Sequence, residues 1–149
     1  MKTVRVAVAA LALLAGGAAH ADTTMLAFGV SHHFETKGHK YNELNLGLGV
    51  EWQPADSGWL VGGFALQDSL SNVGYALYGG YRARYQFESG IHVEATLRAG
   101  FLKDADYKGP ALIPSVGIGY GRVTLEATYL PKIGNNKVPA AVLWARIAF

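Results

Sequence analysis

From residue 26 onward the chain alternates bulky apolar side chains with small or polar ones, the period of two that places successive side chains on opposite faces of a strand. Leu26, Phe28, Val30 and Phe34 alternate with Ala27, Gly29, Ser31, His33 and Glu35, and Leu44, Leu46, Leu48, Val50 and Trp52 with Asn45, Gly47, Gly49 and Glu51. A third segment, about Trp59 to Gln67, sets Leu60, Phe64 and Leu66 on one face. A fourth sets Val73, Tyr75, Leu77, Tyr81, Tyr85 and Phe87 against Gly74, Gly80, Arg82, Arg84 and Gln86, and a fifth sets Ile91, Val93, Leu97 and Phe101 against His92, Glu94, Thr96 and Arg98. Three more run from Leu112 to Tyr120, Arg122 to Leu130 and Ala140 to Phe149. Eight segments long enough for tilted strands of roughly 9 to 11 residues match the smallest transmembrane barrels. The pattern predicts an all-β protein, an eight-stranded antiparallel transmembrane β-barrel with the greasy face toward lipid.

A soluble lipocalin-like barrel has the same period with the greasy face inward. Two features favour the membrane. Glu51, Arg82, Arg84, Glu94, Arg98, Glu126 and Arg146 share the other face with many glycines, which suits a lumen of paired charges, because an unpaired buried charge is very costly. The chain also stops at Phe149 after apolar alternation, resembling the signal read by the barrel assembly machinery.

The first residues predict export. Lys2 and Arg5 precede the apolar run Val6 to Leu14, and Ala19-His20-Ala21 has the small-x-small form of a cleavage site. The expected division is a signal peptide over 1–21 and a barrel domain over 22–149. Removing Lys2 and Arg5 leaves eleven basic and eleven acidic residues, so the basic pI of the precursor implies no nucleic-acid partner. The absence of cysteine excludes disulfides, thiolate metal sites and cysteine nucleophiles.

With both ends of an even-stranded barrel in the periplasm, the first, third, fifth and seventh connections face outward. These are expected at about Glu35 to Lys40, Asp68 to Asn72, Lys103 to Ala111 and Pro131 to Pro139. All lysines of the expected mature chain, Lys37, Lys40, Lys103, Lys108, Lys132 and Lys137, fall there. They read either as solvated loop residues or as compact positive charges for lipopolysaccharide phosphates. The same topology brings His33 level with Asp68 and Ser69: a base, an acid and a hydroxyl on one rim. Strand parity prefers His33 to His32, since His33 shares the face of Ala27, Gly29 and Ser31. On residue types alone, polar loop residues are the favoured description.

Several stretches, in their order and spacing, resemble the lipid A palmitoyltransferase family of Gram-negative outer membranes. They are the first-strand histidine with Tyr41-Asn42-Glu43, Asp68-Ser69, Pro110 to Pro114, Val116 to Gly121, Thr128 to Pro131, Asn135-Asn136, and Trp144 to Phe149. The resemblance implies transfer of a palmitoyl chain from an outer-leaflet phospholipid to lipid A, with His33, Asp68 and Ser69 required and no cofactor or metal. It implies that Gly80 sets the floor of an acyl-measuring cavity, and that Pro114 and Pro131 flank a lateral opening for lipid. The prolines of the family's second opening have no counterpart near Ala27 or after Glu43. The expected partners are the phospholipid donor, the lipid A acceptor, outer-membrane lipid and the assembly machinery, with the protein a monomer. The rival readings are a non-catalytic barrel with a structural or surface-binding role and a lipid hydrolase.

Overall fold

The computed structural model describes residues 21–34, 41–104, 107–131 and 138–149; the expected signal peptide lies almost wholly outside them. Eight strands, β1 (Ala21–His33), β2 (Leu44–Pro54), β3 (Trp59–Gln67), β4 (Val73–Gln86), β5 (Ile91–Asp104), β6 (Tyr107–Tyr120), β7 (Val123–Leu130) and β8 (Ala140–Ala148), close into an antiparallel barrel. Each strand pairs with its sequence neighbour, and β1 completes the ring with β8. The β1–β2, β3–β4, β5–β6 and β7–β8 connections share one end, the outer rim, opposite the chain termini.

Outward-facing residues include Leu44, Leu46, Leu48, Leu77, Tyr85, Leu97, Val116, Ile118 and Leu125, all exposed as a lipid-facing surface requires. The pattern is inverted in two places. Leu26 and Leu60 are buried at 1% and 3% exposure, Phe28 is buried with them, and Phe64 and Leu66 pack against this cluster. These five face the lumen, not lipid, because the outer half of the lumen is itself apolar. In β1 the register to both neighbours shifts between Phe28 and Val30. A bulge at that point re-aims the chain, so Val30 turns out and Ser31 turns in, although Phe28 and Val30 are two residues apart.

The expected outer loop from Lys103 to Ala111 is instead a strand hairpin, with β5 ending at Asp104 and β6 starting at Tyr107. Lys103 and Lys108 are therefore strand residues, paired directly across from each other. The proline-bearing part of β6 is tolerated because its other side is free. Among the described residues, the β6–β7 ladder begins only at Val116↔Ala127, so Pro110 and Pro114 remove no amide from it.

The inner half of the lumen is a charge lattice. Glu51 takes Arg98 Nε at 2.7 Å and is also bound by Arg82, while Arg98 Nη1 reaches Glu126 at 2.7 Å. Glu94 takes Arg84 Nε at 2.6 Å and is also bound by Arg146. The lattice fills the cylinder below the apolar half, and His92 joins it through Thr124 at 2.8 Å.

Candidate active site at the outer rim

Above that lattice lies a cavity walled by Leu26, Phe28, Phe64, Leu66, Leu102 and Ile113, closed below by Tyr78, Arg98 and Trp144. The floor is a locked assembly. The Arg98 guanidinium lies 5.7 Å from the Tyr78 ring centre and 5.5 Å from that of Trp144, and the Tyr78 hydroxyl donates to Glu51 at 3.1 Å. Asp104 lines the cavity along with Arg98 on β5, and six residue steps of about 3.3 Å separate them, so the cavity is about as deep as one leaflet is thick.

At the rim, His33 Nε2 and Ser69 Oγ are 3.1 Å apart, within hydrogen-bond reach. His33 faces inward because of the β1 bulge: it shares the face of Ser31, while the alternation with Ala27 is broken below it. His32 points outward, exposed, with Nδ1 3.0 Å from Glu43. The structure thus brings His33, and not His32, to the serine.

Asp68 and Ser69 are both buried where the chain leaves β3. The carboxylate of Asp68 shapes this turn: Oδ1 accepts from the amides of Leu70 at 2.9 Å and Asn72 at 2.8 Å. Ser71 completes it in a left-handed conformation, φ 64°. A turn of this kind lets Asp68 and Ser69 both face inward, which a regular strand forbids.

Two neighbours that the sequence reading left without a role complete the site. The Tyr41 ring stacks on His33, with centroids 4.5 Å apart and planes at 16°. The Asn42 amide donates to the Ser69 carbonyl at 2.9 Å. Tyr41-Asn42-Glu43 stands out in the sequence as a motif, but nothing in its spacing tells which ring it covers.

The remaining expected residues fall as follows. Gly80 is on the inward face, one inward position beneath Tyr78, and is not among the cavity-lining residues. A Cβ there would stand 2.5 Å from the Leu97 carbonyl and 3.2 Å from Leu60 Cδ1. Pro114 is exposed on β6 beside the unladdered edge, where Thr128 Oγ1 donates to its carbonyl across the gap. Pro131 follows β7 and is exposed. Lys103 Nζ donates to the Val73 carbonyl at 3.0 Å and sits 5.8 Å from the Tyr75 ring centre. Lys37, Lys40, Lys132 and Lys137 lie outside the described residues. Among the described residues no three of His, Cys, Asp or Glu gather to hold a metal ion.

Over residues 23–146 the chain matches a family model described as "Antimicrobial peptide resistance and lipid A acylation protein PagP". No curated protein matches it significantly. Among solved structures it is similar to the Yersinia pestis outer membrane protein Ail in a phospholipid bilayer nanodisc, with a TM-score of 0.43 and 14% identity, covering 88% of this chain and 100% of that one.

Proposed function

The chain belongs to the PagP family of lipid A acylation proteins, and on that premise we propose that His33, Asp68 and Ser69 form the acyl-transfer site of this outer-membrane enzyme. It is a lipid A palmitoyltransferase of the Gram-negative outer membrane, acting on phospholipid and lipid A. The observation carrying the site is the 3.1 Å contact of His33 Nε2 with Ser69 Oγ at the mouth of an apolar cavity. In the net reaction, the acceptor hydroxyl forms an ester with the palmitoyl carbonyl as the bond to the donor glycerol oxygen breaks. Its proton passes through the imidazole to that oxygen, so a lysophospholipid leaves. Asp68 holds the turn that presents Ser69.

Expression in a host lacking its own enzyme should give lipid A heavier by one palmitoyl group, read by mass spectrometry. Free fatty acid without heavier lipid A would instead indicate hydrolysis, and no lipid change a non-catalytic barrel.

Lipid reaches the cavity laterally between β6 and β7, past Pro114 and Pro131, where no ladder bars the way. Lys103 and Lys108 meet the phosphates of lipopolysaccharide at the same rim, a role extended to Lys37 and Lys40 of the β1–β2 connection on their charge alone. In a vesicle assay, Pro114→Val, which supplies an amide with which the β6–β7 ladder can lengthen, and the Lys103→Ser/Lys108→Ser pair should each lower kcat/KM; wild-type values would remove these roles.

Gly80 acts as the ruler through its neighbours. A side chain at this position would press on the Leu97 carbonyl, Leu60 Cδ1 and the Arg98 backbone, and Arg98 is part of the cavity floor, so Gly80→Met should shift donor preference to shorter chains. Unchanged preference in the folded variant would eliminate Gly80 from chain measurement. The barrel works as a monomer inserted by the assembly machinery through its Phe149 end, after cleavage behind Ala21. Sedimentation in detergent, insertion after depletion of that machinery, and the mass of the mature chain check these three points.

A further inference from the structure

We propose that Tyr41 is a positioning residue that fixes the plane of the His33 imidazole, an inference that rests on the reading of His33 as the base. The imidazole makes one side-chain hydrogen-bond contact, through Nε2 to Ser69. Its Nδ1 is buried and, among the described residues, has no hydrogen-bond partner. Among the described residues, therefore, no carboxylate or carbonyl hydrogen-bonds that side of the ring, as one does where a base is held by a third polar group. What does set it is the flat face of Tyr41, nearly parallel and 4.5 Å away.

The segment carrying Tyr41 is braced against both partners. Ser31 N–H donates to the Glu43 carbonyl at 2.8 Å, tying the segment to β1 two residues before His33. Asn42 N–H donates to the Ser69 carbonyl at 2.9 Å, tying it to the turn that bears the hydroxyl. Asn42 closes on itself as well, its Oδ1 accepting from Leu44 N at 3.1 Å and its Nδ2 donating to Leu44 O at 2.8 Å. Asn45 Nδ2 donates to Gln67 O at 3.1 Å, one residue before Asp68. One short stretch thus references the base and the serine to a common frame and holds the distance between them. Loss of the stack frees the imidazole to rotate about its own bonds while leaving the lipid-binding cavity in place. The effect belongs in kcat rather than KM.

The test uses the full mature barrel, refolded and checked by heat-modifiable electrophoretic mobility, with phospholipid donor and lipid A acceptor in mixed micelles. Tyr41→Leu should lower kcat by about tenfold with KM within about twofold, as expected for a misaligned base. Tyr41→Phe keeps the ring and should recover most of the rate. The His33 imidazole resonances should shift in Tyr41→Leu and stay in place in Tyr41→Phe. If Tyr41→Leu does not reach the folded form, Tyr41→Gln carries the same expectation. Wild-type kcat without the ring, equal losses in Leu and Phe variants, or an effect on KM alone would each overturn the inference. His33→Ala is assayed in parallel: if it is active, the assignment of the base falls. If it is inactive while Tyr41→Leu is not, only the role of Tyr41 falls.

Discussion

His33→Ala is expected to leave lipid A at its parental mass in cells, and in a purified assay its kcat should drop by roughly 10² to 10⁴, the contribution of a positioned acid–base group. Ser69→Ala should show a loss of the same order if the two side chains, 3.1 Å apart, act as one proton-transferring unit. His32→Ala, by contrast, should stay within about threefold of wild type, since an exposed ion pair such as that with Glu43 contributes little. The contrast between adjacent histidines is the informative measurement. It depends on the bulge near Gly29, which decides which ring faces the lumen. A dead His32→Ala beside an active His33→Ala would mean that the rim is read from the wrong face. Asp68→Asn keeps one side-chain oxygen for the Leu70 and Asn72 amides and should retain more activity than Asp68→Ala, which removes the turn's acceptor.

Where the lumen is charged, its orientation can be read directly from the sequence. Glu94 and Arg98 on β5 and Arg146 on β8 cannot face lipid unpaired, so parity orients those strands. Where the lumen is apolar the same argument fails, because Leu26, Phe28 and Leu60 are as compatible with the acyl cavity as with the bilayer. On β1 the outward positions there are Met25 and Ala27, which fall between the larger alternating residues Leu26, Phe28 and Val30. Parity put His33 on one face with Ala27, Gly29 and Ser31, whereas in the structure it shares only Ser31's inward face, because a register shift lies between Phe28 and Val30. The β5–β6 hairpin was hidden for a different reason. Asp104, Lys108, Gly109 and Pro110 have the composition of a loop, yet a strand with one unladdered side accommodates them. The rim meeting of His33 and Ser69 followed from counting connections, whereas the Tyr41 stack joins an irregular segment to a strand end and has no periodic signature.

Glu51→Ala should be the most destabilising single change in the lumen, costing about 3 to 5 kcal/mol, the usual penalty for removing one partner of a buried charge network. Glu51 is fully buried and is gripped by Arg82 and Arg98, with the Tyr78 hydroxyl as a third donor. Its removal takes a carboxylate from two buried guanidinium groups, leaving Arg82, among the described residues, only Glu94 at 3.6 Å as an acidic partner. Arg98 retains Glu126, so the variant still closes as a barrel, with its urea unfolding midpoint in vesicles sharply lowered. A second Arg98→Met change removes one of the two guanidinium groups that lost Glu51 and should return part of the loss, giving a favourable coupling in the double-mutant cycle. Independent, additive losses would show that the charges act separately and that the lattice does not brace the lumen. The same cycle bears on catalysis, because Arg98 and Tyr78 are also the cavity floor. Glu51→Ala should therefore loosen chain-length selection along with stability, whereas His33→Ala, at the opposite end of the cavity, should leave the unfolding midpoint nearly unchanged.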